Sequence, residues 1–223
     1  MIRKFTLFSV SGLVLAAALA QGCGKAGPEA QDQGSGSAAP AVAEGAASPQ
    51  GAAVPALQKY DIGGNFILTD QNGHPFQLSQ LHGKVALLYF GYTLCPDACP
   101  ATLARLTRAY KLLGPQFRDD VVTIFVSVDS GRDKPQKMKE YLEYFDVNAV
   151  GLSGTKSQID PVVAQYGAKY EITDSGSAAG YLVNHSTSLY LIDQHGEVRY
   201  VFKHKDPPEL IAAGVKQLLP ARS

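Results

Sequence analysis

The sequence predicts an α/β fold, with a central mixed β-sheet flanked by helices. Three observations carry this reading. Two continuous apolar runs, "KVALLYFGY" at 84–92 and "DDVVTIFVSVD" at 119–129, have the length and makeup of strands buried in a sheet interior. Segments of helical period alternate with the strands through the first half of the domain. A strand pair and one last helix close the chain, which suits an α/β sandwich with a central mixed sheet.

The elements follow in order. "GGNFILTDQNGHPFQLS" at 63–79 alternates apolar and polar residues around Asn72-Gly73, the signature of a hairpin. The first apolar run is bounded by Gly83 and a cysteine-containing loop. After it, Pro100 opens a helical pattern in which Leu103, Leu106, Tyr110 and Leu113 share a face, and Gly114-Pro115 stops it. Behind the second run, "DKPQKMKEYLEYFD" reads as a helix with Met138, Tyr141, Leu142 and Phe145 on one side. "VNAVGLSG" is a short strand, and "TKSQIDPVVAQYG" is a helix that Pro161 starts or kinks. "AKYEI" is an edge strand, and the Gly/Ser-rich "TDSGSAAG" is a flexible loop leading into "YLVNHSTSLYLID". The turn "QHGE", the strand "VRYVFKH" and the helix "PPELIAAGVKQLL" complete the chain. This order is that of a thioredoxin-like fold with an N-terminal β-hairpin extension, the cysteine loop joining the first central strand to its helix.

Composition limits the partners. Twenty Lys and Arg balance twenty Asp and Glu, so no strong field points to nucleic acid. The first residues stand apart from the domain. "MIRK" is a short basic segment, and "FTLFSVSGLVLAAALA" is an apolar run ending in small residues, the layout of a secretory signal. "AQGC" follows, resembling a bacterial lipoprotein signal in which Cys23 becomes the lipidated N-terminus. An uncleaved anchor is the alternative, although the apolar run is short of the ~20 residues that span a bilayer. Residues 24–55 are Ala, Gly, Ser, Pro and Gln with almost nothing large to bury, and read as a disordered tether. The expected organisation is a leader at 1–22, a lipidated cysteine and tether at 23–55, and a folded domain at 56–223, exported and anchored to a membrane.

That domain holds two cysteines, Cys95 and Cys99, each followed by a proline in "YFGYTLCPDACPATL". Pro100 disfavours α conformation at Cys99 and suits the first helical position, which puts Cys99 at the N-cap and Cys95 just upstream. Free amides and the positive end of the helix dipole favour a thiolate there. A thiolate serves metal binding and disulfide exchange alike, so the pair reads equally as a structural disulfide, a redox switch or a metal clamp. As a staple it closes a small ring and removes little unfolded-state entropy. A metal site needs a third ligand. His74, His82, His195 and His204 fall in turns or at strand ends, whereas His185 begins the apolar "STSLYLID" strand behind the Gly/Ser loop. Loops at one end of neighbouring strands converge on α/β sites, yet taken alone His185 reads more readily as a structural residue than as a ligand.

The strings "FGYTLCPDACPATL" at 90–103, "FVSVD" at 125–129 and "YLVNHSTSLYLID" at 181–193, with weaker support from "GGNFILTDQNG" at 63–73, resemble the Sco/SenC family of copper chaperones for cytochrome c oxidase. The resemblance spans most of residues 60–220. It implies that Cys95, Cys99 and His185 are copper ligands, and two thiolates with one imidazole suit Cu(I), with Cu(II) also within such a set's reach. It also implies delivery to the copper A centre of cytochrome c oxidase subunit II, with copper received from a periplasmic donor chaperone. Two departures stand out. Asn184 occupies the place of the family's aspartate before the histidine, and "DSGRD" replaces "DPERD", retaining Asp129, Arg132 and Asp133. The alternative function is a thiol–disulfide oxidoreductase in which Cys95 and Cys99 are the redox pair that reduces cysteines of the oxidase subunit or another exported protein. Against it, thioredoxins carry Cys-x-x-Cys and a proline before the following strand, where this chain has "NHSTSLYL". A peroxiredoxin-like reading leaves Cys99 and His185 without a use.

Overall fold

The computed structural model describes residues 55–177 and 180–220. The leader, Cys23 and the tether lie outside the described residues, and no described helix is long and apolar enough to cross a membrane.

The two apolar runs form the centre of the sheet. Strand β3 (Val85–Gly91) and strand β4 (Val121–Ser127) are buried at every position and pair in parallel. Parallel neighbours need a crossover, supplied by helix α1 (Ala98–Leu113). Helix α2 (Pro135–Glu143) similarly connects β4 to β5 (Ala149–Ser153), which is also parallel to β4. Because β3, β4 and β5 are consecutive in the sheet, right-handed crossovers put α1 and α2 on the same face. Helix α3 (Lys156–Gln165) leads to the other face, where Tyr166 packs against Phe90 and Tyr190.

The expected hairpin is β1 (Ile67–Asp70) with β2 (Pro75–Gln77), turning at Gly73 with φ +83°. It extends the sheet antiparallel to β5. On the other side, β8 (Leu189–Ile192) and β9 (Val198–Phe202) add antiparallel strands, giving the order β2-β1-β5-β4-β3-β8-β9. Helix α4 (Pro208–Leu218) packs on α1. The mixed sheet flanked by helices is therefore as the sequence predicts, and Leu103, Leu106, Tyr110 and Leu113 all face the core.

Three local readings are corrected. Helix α1 begins at Ala98 with Asp97 as its N-cap, so Cys99 lies inside the first turn and Pro100 one residue further on. Pro100 is tolerated there because the first four amides of a helix have no internal partner to lose. Helix α3 starts at a Thr155–Gln158 capping box, leaving Pro161 inside it. The third correction concerns "AKYEI" and "TDSGSAAG". Residues 170–177 form β6 (Tyr170–Ser177), which pairs with β7 (Gly180–His185) in a two-stranded ribbon apart from the main sheet, in place of an edge strand and a loop. His185 thus ends β7 and does not begin β8. Strand β7 buries only Val183, so the sequence there lacks a strong apolar signal by which strands are recognised.

Candidate metal centre

The site forms where β3 runs out of the sheet. Gly91 ends β3, and the chain passes through Tyr92, Thr93 and Leu94 to Cys95 before entering α1. Gly91 is required by close approach. A Cβ there would sit 2.8 Å from Cys99 Sγ and 2.9 Å from the Phe125 ring. The Cys99 sulfur lies directly against that backbone, and Cys99 is fully buried while Cys95 is partly exposed.

The start of α1 is capped in an unusual way. Asp97 makes no side-chain cap bond; the Cys99 amide instead donates to Cys95 Sγ at 3.4 Å. Sulfur takes the role of the usual capping oxygen, and the amide thereby stabilises negative charge on it. The two sulfurs are not joined. Cys95 is pushed down to about 3, chiefly by a hydrogen bond from the Cys99 thiol, with His185 and the amides of Asp97 and Cys99 working the same way against burial. Cys99 moves up, because its proton is held by Cys95 and its sulfur is buried. The pair therefore holds one thiolate and one thiol sharing a proton, and titrates as a unit.

His185 completes the cluster from the ribbon. Its Nε2 lies 3.4 Å from Cys99 Sγ and 3.9 Å from Cys95 Sγ. All three donor atoms fall within 4.8 Å of one another, the only such His/Cys/Asp/Glu group among the described residues. On the far side of the ring, Nδ1 faces the Ser186 carbonyl at 3.0 Å. That bond takes an N–H from Nδ1 and aims Nε2 at the sulfurs, the orientation found at metal-binding histidines. The rings of Tyr89 and Tyr92 meet the imidazole edge-on, with centroids 6.0 and 5.7 Å away. His74, His82 and His195 are exposed, and none of the other histidines joins the cluster.

Chemically, two sulfurs and one imidazole are a soft donor set, fitting Cu(I) with three ligands. Structural zinc usually closes with a fourth protein ligand, and no fourth His, Cys, Asp or Glu joins the group among the described residues. Asn184, the departure from the family pattern, is exposed and donates to Thr173 Oγ1 at 3.1 Å across the ribbon. Alternation along β7 puts its side chain on the opposite face from His185.

Several residues of the site were not foreseen as such. Tyr89 and Tyr92 flank the imidazole, and burial, followed by the nearby cysteines, holds the Tyr89 proton on well above the ordinary range. Its signal was a hydroxyl-bearing ring within an otherwise apolar strand. Tyr181 and the 129–133 turn are also involved, as described below; Asp129, Arg132 and Asp133 were visible only as a family string.

A thioredoxin-like domain with a Cys-x-x-x-Cys–His donor cluster at the mouth of its first helix is the class that fold and site define. The description of the SCO1/SenC family matches residues 54–220, and the chain belongs to that family. It is 35% identical over 152 residues to an SCO2-like protein of Rickettsia felis, covering 67% of this chain and 74% of that protein. It is 37% identical over 160 residues to protein SenC of Rhodobacter capsulatus, covering 72% of each. Among solved structures it is similar to copper-bound ScoI of Bradyrhizobium japonicum, with a TM-score of 0.65 and 39% identity, covering 71% of this chain and 99% of that one.

Proposed function

We propose that this chain is a copper chaperone that binds copper through Cys95, Cys99 and His185 and delivers it to the copper A centre of cytochrome c oxidase subunit II. The observation that carries the reading is the Nε2 of His185, 3.4 and 3.9 Å from the two sulfurs. Cargo copper, as Cu(I), would be held by thiolate sulfur and imidazole nitrogen, ligands matched to its softness. Copper held in the related ScoI structure supports the same assignment here.

The residues divide the work. Cys95, already a thiolate, offers the first ligand at a partly exposed position. Cys99 is buried and must give up its proton to coordinate, so copper uptake releases a proton. His185 supplies the third donor, held in the correct tautomer by Ser186. An acceptor approaching from solvent meets Cys95 and His185 first, so ligand exchange begins there and Cys99 lets go last. In this reading Cys23 carries the lipid anchor and residues 24–55 let the domain reach its donor chaperone and subunit II on the extracytoplasmic side.

The test is copper retention by the full chain in detergent, comparing wild type, His185→Ala and Cys95→Ser. Wild type retains one tightly bound copper, and both variants lose it to a competing chelator. Equal retention by His185→Ala and wild type would sink the three-ligand site. A second reading, reduction of cysteines in the oxidase subunit or another exported protein, is favoured by one observation, the thiolate–thiol pairing of Cys95 with Cys99. It takes the lead if His185→Ala keeps full disulfide-reductase activity while losing no copper.

A further inference from the structure

His185 reaches the sulfurs from a ribbon whose strands pair only with each other. Main-sheet hydrogen bonds therefore do not fix the imidazole. One turn, residues 129–133, grips both halves of the centre. On the cysteine side, buried Asp133 accepts the Thr93 amide at 2.8 Å and the Thr93 hydroxyl at 2.6 Å, two residues before Cys95. It also accepts the Ser127 hydroxyl at 2.7 Å, which ties the turn to β4.

On the ribbon side, Arg132 Nε pairs with buried Asp129 at 2.5 Å, and its Nη1 donates to the Tyr181 carbonyl at 2.9 Å. The guanidinium lies 3.7 Å from the centroid of the Tyr181 ring, a cation–π contact. The Tyr181 hydroxyl closes the circuit by donating to Asp129 Oδ1 at 2.6 Å. Gly131 makes room for it, since a Cβ there would come within 2.9 Å of that hydroxyl. Tyr181 stands four residues before His185 on the same face of β7. The ribbon is tied separately by the Tyr170 hydroxyl to Asp160 at 2.6 Å and by the Val183 amide to the Tyr92 hydroxyl at 3.4 Å.

We infer that Arg132 is a positioning residue for His185: the Asp129–Arg132–Tyr181 clasp holds the ribbon, and with it the imidazole, in register with the cysteine pair. This rests on the three-donor reading above. The clasp thereby sets how tightly the third donor is held, while Asp133 holds the cysteine side through Thr93. An arginine is suited to this, because one planar fork meets a carboxylate, a carbonyl and a ring together, which lysine cannot do.

The test measures Cu(I) affinity of the full chain in detergent by competition with a chromophoric chelator, and the thiolate-to-copper absorption of the Cu(II)-loaded form. Arg132→Met weakens Cu(I) binding roughly tenfold to a hundredfold, the range for groups that orient a metal ligand, and moves the absorption band toward that of His185→Ala. Arg132→Lys recovers part of the loss. Arg132→Met with His185→Ala binds no more weakly than His185→Ala alone, as required of a residue acting through the imidazole. Wild-type affinity and an unchanged band in Arg132→Met, beside a weakened His185→Ala, overturn the inference and leave the three-donor site standing. Full additivity in the double variant overturns it as well. If His185→Ala binds like wild type, the underlying site fails and the inference with it. Should Arg132→Met not fold, Tyr181→Phe carries the same comparison, since it removes the bond to Asp129 and keeps the ring.

Discussion

The two halves of the centre are built on opposite plans. Cys95 and Cys99 emerge from a fully buried strand and the first turn of a helix packed on the sheet, with Cys99 pressed onto Gly91. His185 sits at the end of a ribbon with an exposed outer face, joined to the domain by a few side-chain ties. Local stability follows buried contacts. The sulfur pair is therefore fixed by the core, while the imidazole hangs on an arm that sends only Val183 of β7 into it. Under the proposed chaperone function, this separates retention from release.

The comparison can be broken at its firmest point first. Cys99→Ser, replacing a soft donor by a hydroxyl that Cu(I) binds poorly, lowers copper affinity by about a thousandfold or more, against a smaller loss for His185→Ala. A chelator titration giving the reverse ranking would mean that the imidazole dominates. Next, Gly91→Ala drives a methyl into Cys99 Sγ and Phe125 and destabilises the domain by about 1–3 kcal/mol, the cost of overpacking. Urea melts measure this, and an unaffected melt would show the cysteine half to be as yielding as the ribbon.

Alkylation gives a smaller but sharper signal. An ordinary cysteine, with a pKa of ~8.5, loses about tenfold in thiolate for each pH unit below it. Cys95, pushed down to about 3, remains ionised throughout pH 5–8. Its iodoacetamide rate in the copper-free chain should be flat over that range, whereas a rate climbing with pH would place the charge elsewhere. The smallest effect is expected from Asn184→Asp. The side chain is exposed and turned toward Thr173, so copper affinity changes by less than about fivefold, as for other exposed charges. A larger change would bring the ribbon's outer face into the metal's field.

The sequence made the cysteine half legible and much of the ribbon half illegible, for a physical reason. Apolar runs and proline and glycine stops announce β3, β4 and α1, because burial and backbone restriction leave their mark in residue type. The placement of Cys99 at the N-cap failed by two positions, because the amide that a capping side chain would satisfy is met by a sulfur, which residue-level capping preferences do not include. The ribbon escaped notice because "TDSGSAAG" has no face to bury. Its clasp depends on Arg132 and Tyr181, forty-nine residues apart and joined through a backbone carbonyl that no side-chain pattern encodes. The three donor residues were nevertheless all named from the sequence, through the resemblance, and the structure brings them together.

The self-contained pairing of β6 with β7 has an engineering consequence. An arm that shares no ladder with the main sheet can have its terminal donor exchanged without re-registering any core strand. Methionine at position 185 would offer an even softer atom and aspartate a harder one, while the thiols stay where β3 and α1 put them. Under the proposed three-donor site, the domain would be a socket with one interchangeable pin, its metal preference set from the ribbon.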